Sequence, residues 1–123
     1  MFSYDEFSAW ANTIFKNPFP DNTIAINFNL YEESEEDTYS VQIIGTEKFD
    51  ENDWACYDTF SSGEDLYYWK EQGGWKQALS TAMEMVNKYM DESDFSELLK
   101  SYDGIGIGFV DGDIEIMYRK DND

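Results

Sequence analysis

TIAINFNLYEESEEDTYSVQIIGTE, residues 23–47, is the stretch whose reading decides the fold. From Thr23 to Glu32 apolar and polar residues alternate, which puts Ile24, Ile26, Phe28 and Leu30 on one face of an extended chain. Alternation resumes after the acidic run, with Tyr39, Val41 and Ile43 again on one side. Two alternating runs joined by a short polar loop predict an antiparallel hairpin with one face in the core. Its loop is unusual, because five of the six positions from Glu32 to Asp37 are carboxylates.

On the N-terminal side, SYDEFSAWANTIFKNP spaces Phe7, Trp10, Ala11, Ile14 and Phe15 as on one helical face. Ser3 is the expected N-cap, Glu6 completes a capping box, and Pro18 lies beyond the end. On the C-terminal side, DWACYDTF reads as a third strand, and LYYWKEQ as either a fourth strand or an aromatic connection. GWKQALSTAMEMVNKYMDE then repeats apolar residues through Trp75, Ala78, Leu79, Ala82, Met83, Val86, Tyr89 and Met90, a long amphipathic helix. DFSELLKSY predicts a short helix with Asp94 as its N-cap.

The last segment, GIGIGFVDGDIEIMYR, folds back on itself if Asp111 and Gly112 form a two-residue type I′ turn. Phe109 would then meet Ile114, Ile107 would meet Ile116 and Ile105 would meet Tyr118 on one face. Gly108 would meet Glu115, Gly106 would meet Met117 and Gly104 would meet Arg119 on the other, leaving that face shallow on the glycine strand. Helices before and between hairpins imply an α+β fold: a single domain, residues 1–123, with helices packed on a mostly antiparallel sheet.

At 123 residues, 41% hydrophobic and 18% aromatic, the chain can bury a core of its own, unlike a disordered acidic tail. Yet 27 acids against eight bases leave a net charge of −19. Solubility needs only about 2 to 8 units on a small domain, and the excess costs stability through self-repulsion. Such a field repels nucleic acid and anionic membranes and attracts a cation or a basic protein. One cysteine, Cys56, permits no internal disulfide, and with no histidine a zinc site is not expected. The N-terminal MFSYDEF lacks the basic and apolar regions of a signal peptide, so the expected location is cytoplasmic.

Catalytic motifs are not recognisable. GIGIG lacks the spacing of a phosphate-binding loop, and DGD at 111–113 lacks the further ligands of a calcium loop. Carboxylates are so abundant that a pair at catalytic separation means nothing. The expectation is a non-enzyme without metal or cofactor. The residues expected to bind a partner are Glu33, Glu35, Glu36 and Asp37 at the hairpin tip, with Asp50, Glu51, Asp53, Trp54, Tyr57, Asp58, Glu64, Asp65, Tyr67 and Tyr68 from the acidic, aromatic-rich middle. Acids there would speed association and set register, and exposed rings would supply affinity.

A compact, strongly acidic, aromatic-rich chain of this build resembles the small immunity proteins of bacterial polymorphic toxin and contact-dependent growth inhibition systems. That resemblance implies binding and neutralisation of a cognate basic toxin, a C-terminal nuclease domain. Two alternatives stay open: a DNA mimic that inhibits a host nucleic-acid-binding protein, and a small cation- or ligand-binding module built on the glycine-faced hairpin and the aromatic middle.

Overall fold

The computed structural model describes residues 2–49, 54 and 57–120. Ser3 caps the first helix as expected, its Oγ accepting from the Glu6 N–H at 3.3 Å, and α1 (Tyr4–Phe15) follows. Its buried residues are Phe7, Ala11, Ile14 and Phe15, the face that the spacing selects. Strands β1 (Ala25–Glu32) and β2 (Thr38–Thr46) form the predicted hairpin, with Phe28 opposite Ile43 and Leu30 opposite Val41. The end of DWACYDTF and the centre of LYYWKEQ are strands. β3 (Asp58–Ser61) pairs with β2 at Ile44–Thr46, and β4 (Tyr67–Lys70) pairs with the same edge at Thr38–Val41.

The chain then crosses through α2 (Gly74–Glu92) and α3 (Ser96–Lys100) to β5 (Gly104–Phe109), which lies beside β1. A connection that long can return the chain to the end of the sheet where β1 starts, so this pair is parallel: Ile26 matches Ile105 and Leu30 matches Phe109. β6 (Glu115–Arg119) closes the far edge, giving the order β3-β2-β1-β5-β6 with β4 beside β2. The fold is α+β, a six-stranded, mostly antiparallel open sheet with helices packed on it.

One core joins α1 and α2 to the sheet, through Phe28, Leu30, Tyr39, Ile43, Ile105 and Ile107 among others. Each such side chain taken fully from water contributes about 1.5 to 3 kcal/mol before ordering costs. The opposite face carries a smaller cluster of Ala25, Phe49 and Trp54, with Ile24 and Ile114 against it. Ile24 therefore departs from the face expected for it.

The C-terminal hairpin corrects the sequence reading in two ways. Neither Asp111 nor Gly112 has positive φ, so there is no type I′ turn; Gly112 N–H instead donates to the Phe109 carbonyl at 2.9 Å, and the connection runs from 110 to 114. Gly104–Arg119 and Ile105–Tyr118 pair as expected, but the register shifts between Ile105 and Gly106, so that Gly106 faces Ile116 and Ile107 faces Glu115. The glycines explain the shift: the void above Gly106 is taken by Ile114, whose Cγ2 would lie 2.8 Å from a Cβ there, and the Asp113 carbonyl closes over Gly108. The predicted cap of α3 also fails. Phe95, not Asp94, occupies the N-cap, and no side chain caps the helix.

Candidate functional site

The acidic loop is held by its own backbone. Glu33 N–H donates to the Thr38 carbonyl at 2.9 Å, Thr38 N–H donates to the Glu35 carbonyl at 3.2 Å, and Asp37 has φ 58°. Aspartate tolerates that left-handed conformation better than most side chains. Beyond β4, Glu71 N–H donates to the Asp37 carbonyl at 2.9 Å, which ties the tip to the chain entering α2. Gly73 and Gly74, at φ 105° and 86°, then turn the chain into the helix, a backbone path that β-carbon-bearing residues resist.

These elements enclose an open groove of about 1170 Å³ between the hairpin tip, the end of β4 and one stripe of α2. Among the described residues its charged lining consists of Glu35, Glu36, Asp37, Glu71 and Glu84 against a single cation, Lys70, with Phe2 and Met85 as apolar wall. Gln77, Thr81 and Glu84 reach it because they recur at three- and four-residue intervals on the polar side of α2. Glu71 is the most committed acid, accepting from the Trp69 indole at 3.0 Å and from the Thr81 hydroxyl at 2.5 Å. Lys70 lies 3.0 Å from Glu35, but both side chains are well exposed, so the pair is worth at most about 1 kcal/mol. The field extends inward: burial first, and then the charges of Glu32, Asp37 and Glu71, push the Tyr39 hydroxyl pKa upward.

Of the residues expected to bind a partner, Glu35, Glu36 and Asp37 border this groove. Glu33 is half-buried and accepts from the Ser40 hydroxyl at 2.6 Å, a contact that fastens the hairpin. Glu64 and Asp65 are exposed in the β3–β4 loop, and Asp65 accepts from the Trp10 indole at 3.1 Å. Tyr68 is exposed on β4. Tyr57 and Asp58 are exposed but adjoin the far end of β2, since Asp58 pairs with Thr46 while the tip begins at Thr38. At about 3.3 Å per residue, that places them on the order of 25 Å from the tip. Asp50, Glu51 and Asp53 lie outside the described residues.

Two expected anchors are corrected. Trp54 is 3% exposed and packs edge-on against Phe49, 5.0 Å between ring centroids. Tyr67 is 7% exposed; it accepts from the Ser3 N–H at 3.0 Å and donates to the Ser3 carbonyl at 3.2 Å. Both rings are core because the sheet has apolar clusters on each face, which a count of aromatics along the chain does not separate. The glycine face is closed as well. A Cβ on Gly104 would overlap the Phe49 ring, and one on Gly106 would lie 2.8 Å from Trp54, so the protein's own rings occupy the shallow side.

Sequence reasoning did not select Glu71, Glu84, Gln77 or Thr81. The helical periodicity of Gln77, Thr81 and Glu84 was readable, but only the tertiary arrangement brings that polar stripe, and Glu71 ahead of the helix, opposite the hairpin tip. Among the described residues, no group of three or more His, Cys, Asp or Glu is arranged to hold a metal ion, and no helix is long and apolar enough to cross a membrane. No protein-family model, curated protein or solved structure matches the chain.

Proposed function

We propose that the protein is a cytoplasmic immunity protein that binds and neutralises a cognate basic toxin, a nuclease domain, without catalytic activity of its own. The observation that carries this reading is the groove: among the described residues, five carboxylates and one ammonium line an open cleft of about 1170 Å³. A nuclease must attract phosphate, so its substrate surface is positive, and a chain at −19 is steered to that surface and can cover it. Closure of the glycine face by Phe49, Trp54 and Ile114 counts against a small ligand there.

The test is capture from a lysate of the source organism at low salt, elution along a salt gradient, and assay of the captured protein for nuclease activity with and without this chain. A single basic partner that survives moderate salt and is inhibited stoichiometrically is the expected result. A crowd of basic proteins, all lost by physiological ionic strength where the screening length is about 8 Å, would refute it. With the partner in hand, Glu35→Gln, Glu36→Gln and Asp37→Asn together should slow association and flatten its salt dependence, with little change in the dissociation rate.

A further inference from the structure

A row of rings runs beneath the hairpin tip and emerges beside the groove. Trp69, whose indole donates to the groove's Glu71, lies 5.7 Å from Tyr39; Tyr39 lies 6.1 Å from Phe109, and Phe109 lies 6.0 Å from Trp75. The first three rings are buried, but Trp75 is 48% exposed, and Val110, next to Phe109, is 55% exposed. Trp75 stands in the first turn of α2, two residues from the groove-lining Gly73, and Val110 N–H is held by the Leu30 carbonyl at 3.1 Å. The backbone at both positions is therefore held before anything docks, at Trp75 by α2 and at Val110 by its bond to Leu30, which lowers the ordering cost to a partner.

We propose that Trp75 and Val110 form the apolar anchor of the partner-binding surface, and that the occupant is a basic protein segment placing a Lys or Arg in the groove and an apolar side chain on Trp75. This rests on the reading under Proposed function and adds where the affinity resides. Charge complementarity selects the occupant: the groove is negative, and a second copy of this chain, also at −19, is repelled. Tryptophan is among the residue types most enriched where truncation of one side chain costs an interface the most affinity. The ammonium of the neighbouring Lys76 lies over the ring, 5.6 Å from its centroid, and is the group that an incoming apolar side chain displaces.

The probes are octalysine and a peptide of equal charge with a leucine pair inserted at its middle, titrated into the ¹⁵N-labelled full chain at about physiological ionic strength. Both should shift the amides of Glu35 to Asp37. The leucine peptide should also shift the Trp75 indole and bind at least about tenfold more tightly, a difference of about 1.4 kcal/mol. Trp75→Ala, with Val110→Ser as a second variant, should remove that tenfold difference and leave octalysine affinity unchanged, while thermal melting confirms that both variants fold. Equal affinities for the two peptides, or a leucine preference that survives Trp75→Ala, would overturn this inference and leave the reading under Proposed function standing. Octalysine shifts no larger at the groove than at the distant Asp58 and Asp113 would overturn both.

Discussion

Replacing Gly104 by alanine adds one methyl group directly into the Phe49 ring. Two responses are open. If Phe49 is expelled, the protein loses the burial of a ring now only 9% exposed, about 1.5 to 3 kcal/mol, and its edge contact with Trp54, worth about 0.5 to 1.5 kcal/mol. Expulsion also removes the ring from beneath Arg119, the chain's only arginine, whose guanidinium carbon lies 4.9 Å from the Phe49 centroid. If the ring stays, β5 must shift, an overpacking cost of about 1 to 3 kcal/mol. The cheaper response sets the cost, and alanine lowers the entropy of the unfolded chain by about 0.4 to 1 kcal/mol, so the expected net loss is about 1 to 2 kcal/mol. Urea unfolding followed by tryptophan fluorescence, with m of about 2 kcal/mol per molar, should show the midpoint falling by about 0.5 to 1 M. Gly112→Ala is the control, since a Cβ there meets nothing closer than 3.7 Å and φ is not positive; it should stay within about 0.5 kcal/mol of the parent. The decisive arm is a double-mutant cycle. In a Phe49→Ala background, Gly104→Ala should become neutral or stabilising. A full cost in that background, or a loss below about 0.5 kcal/mol in the parent, would refute the argument that Phe49 fills the glycine face.

Two further outcomes follow from individual contacts. Glu33→Ala should cost about 1 to 3 kcal/mol, because it leaves the fully buried Ser40 hydroxyl without its acceptor, whereas Glu36→Ala should change stability by less than about 0.5 kcal/mol; equal urea midpoints for the two would show that Glu33 does not fasten the hairpin. Burial raises the hydroxyl pKa of Tyr39, Tyr67, Tyr89 and Tyr102 above the ordinary value near 10, so stability from these groups is complete below about pH 10 and is lost as pH rises toward their folded-state values. Tyr89→Phe removes the 2.7 Å bond to Asn12 and should cost about 0.5 to 1.5 kcal/mol at pH 7, but the gap to the parent should narrow by pH 11; a constant gap between the two pH values would contradict the assignment.

Legibility differed by element. Ser3 and the α1 stripe were readable because a cap and a helical period are local, three to four residues apart. The β1–β2 hairpin was readable from two alternating runs whose faces must both meet the core, while its register comes from the structure. In the C-terminal hairpin the same logic failed. With glycines at 104, 106 and 108, one face of β5 has no side chains to specify register, and packing of Ile114 beside Trp54 decided it instead.

For the candidate site, the sequence by itself determined the charge, the exposed acidic tip and the amphipathic α2, since these depend on composition and short-range period alone. Only the tertiary structure decided that the tip faces the polar stripe of α2 across a groove, that Trp54 and Tyr67 are core, and that Trp75 is exposed at the end of a buried ring row. Whether an aromatic ring is covered depends on what distant chain lies over it. Phe49 and Trp54 close one face of the sheet while α1 and α2 close the other, and no period within a single strand or helix encodes that difference.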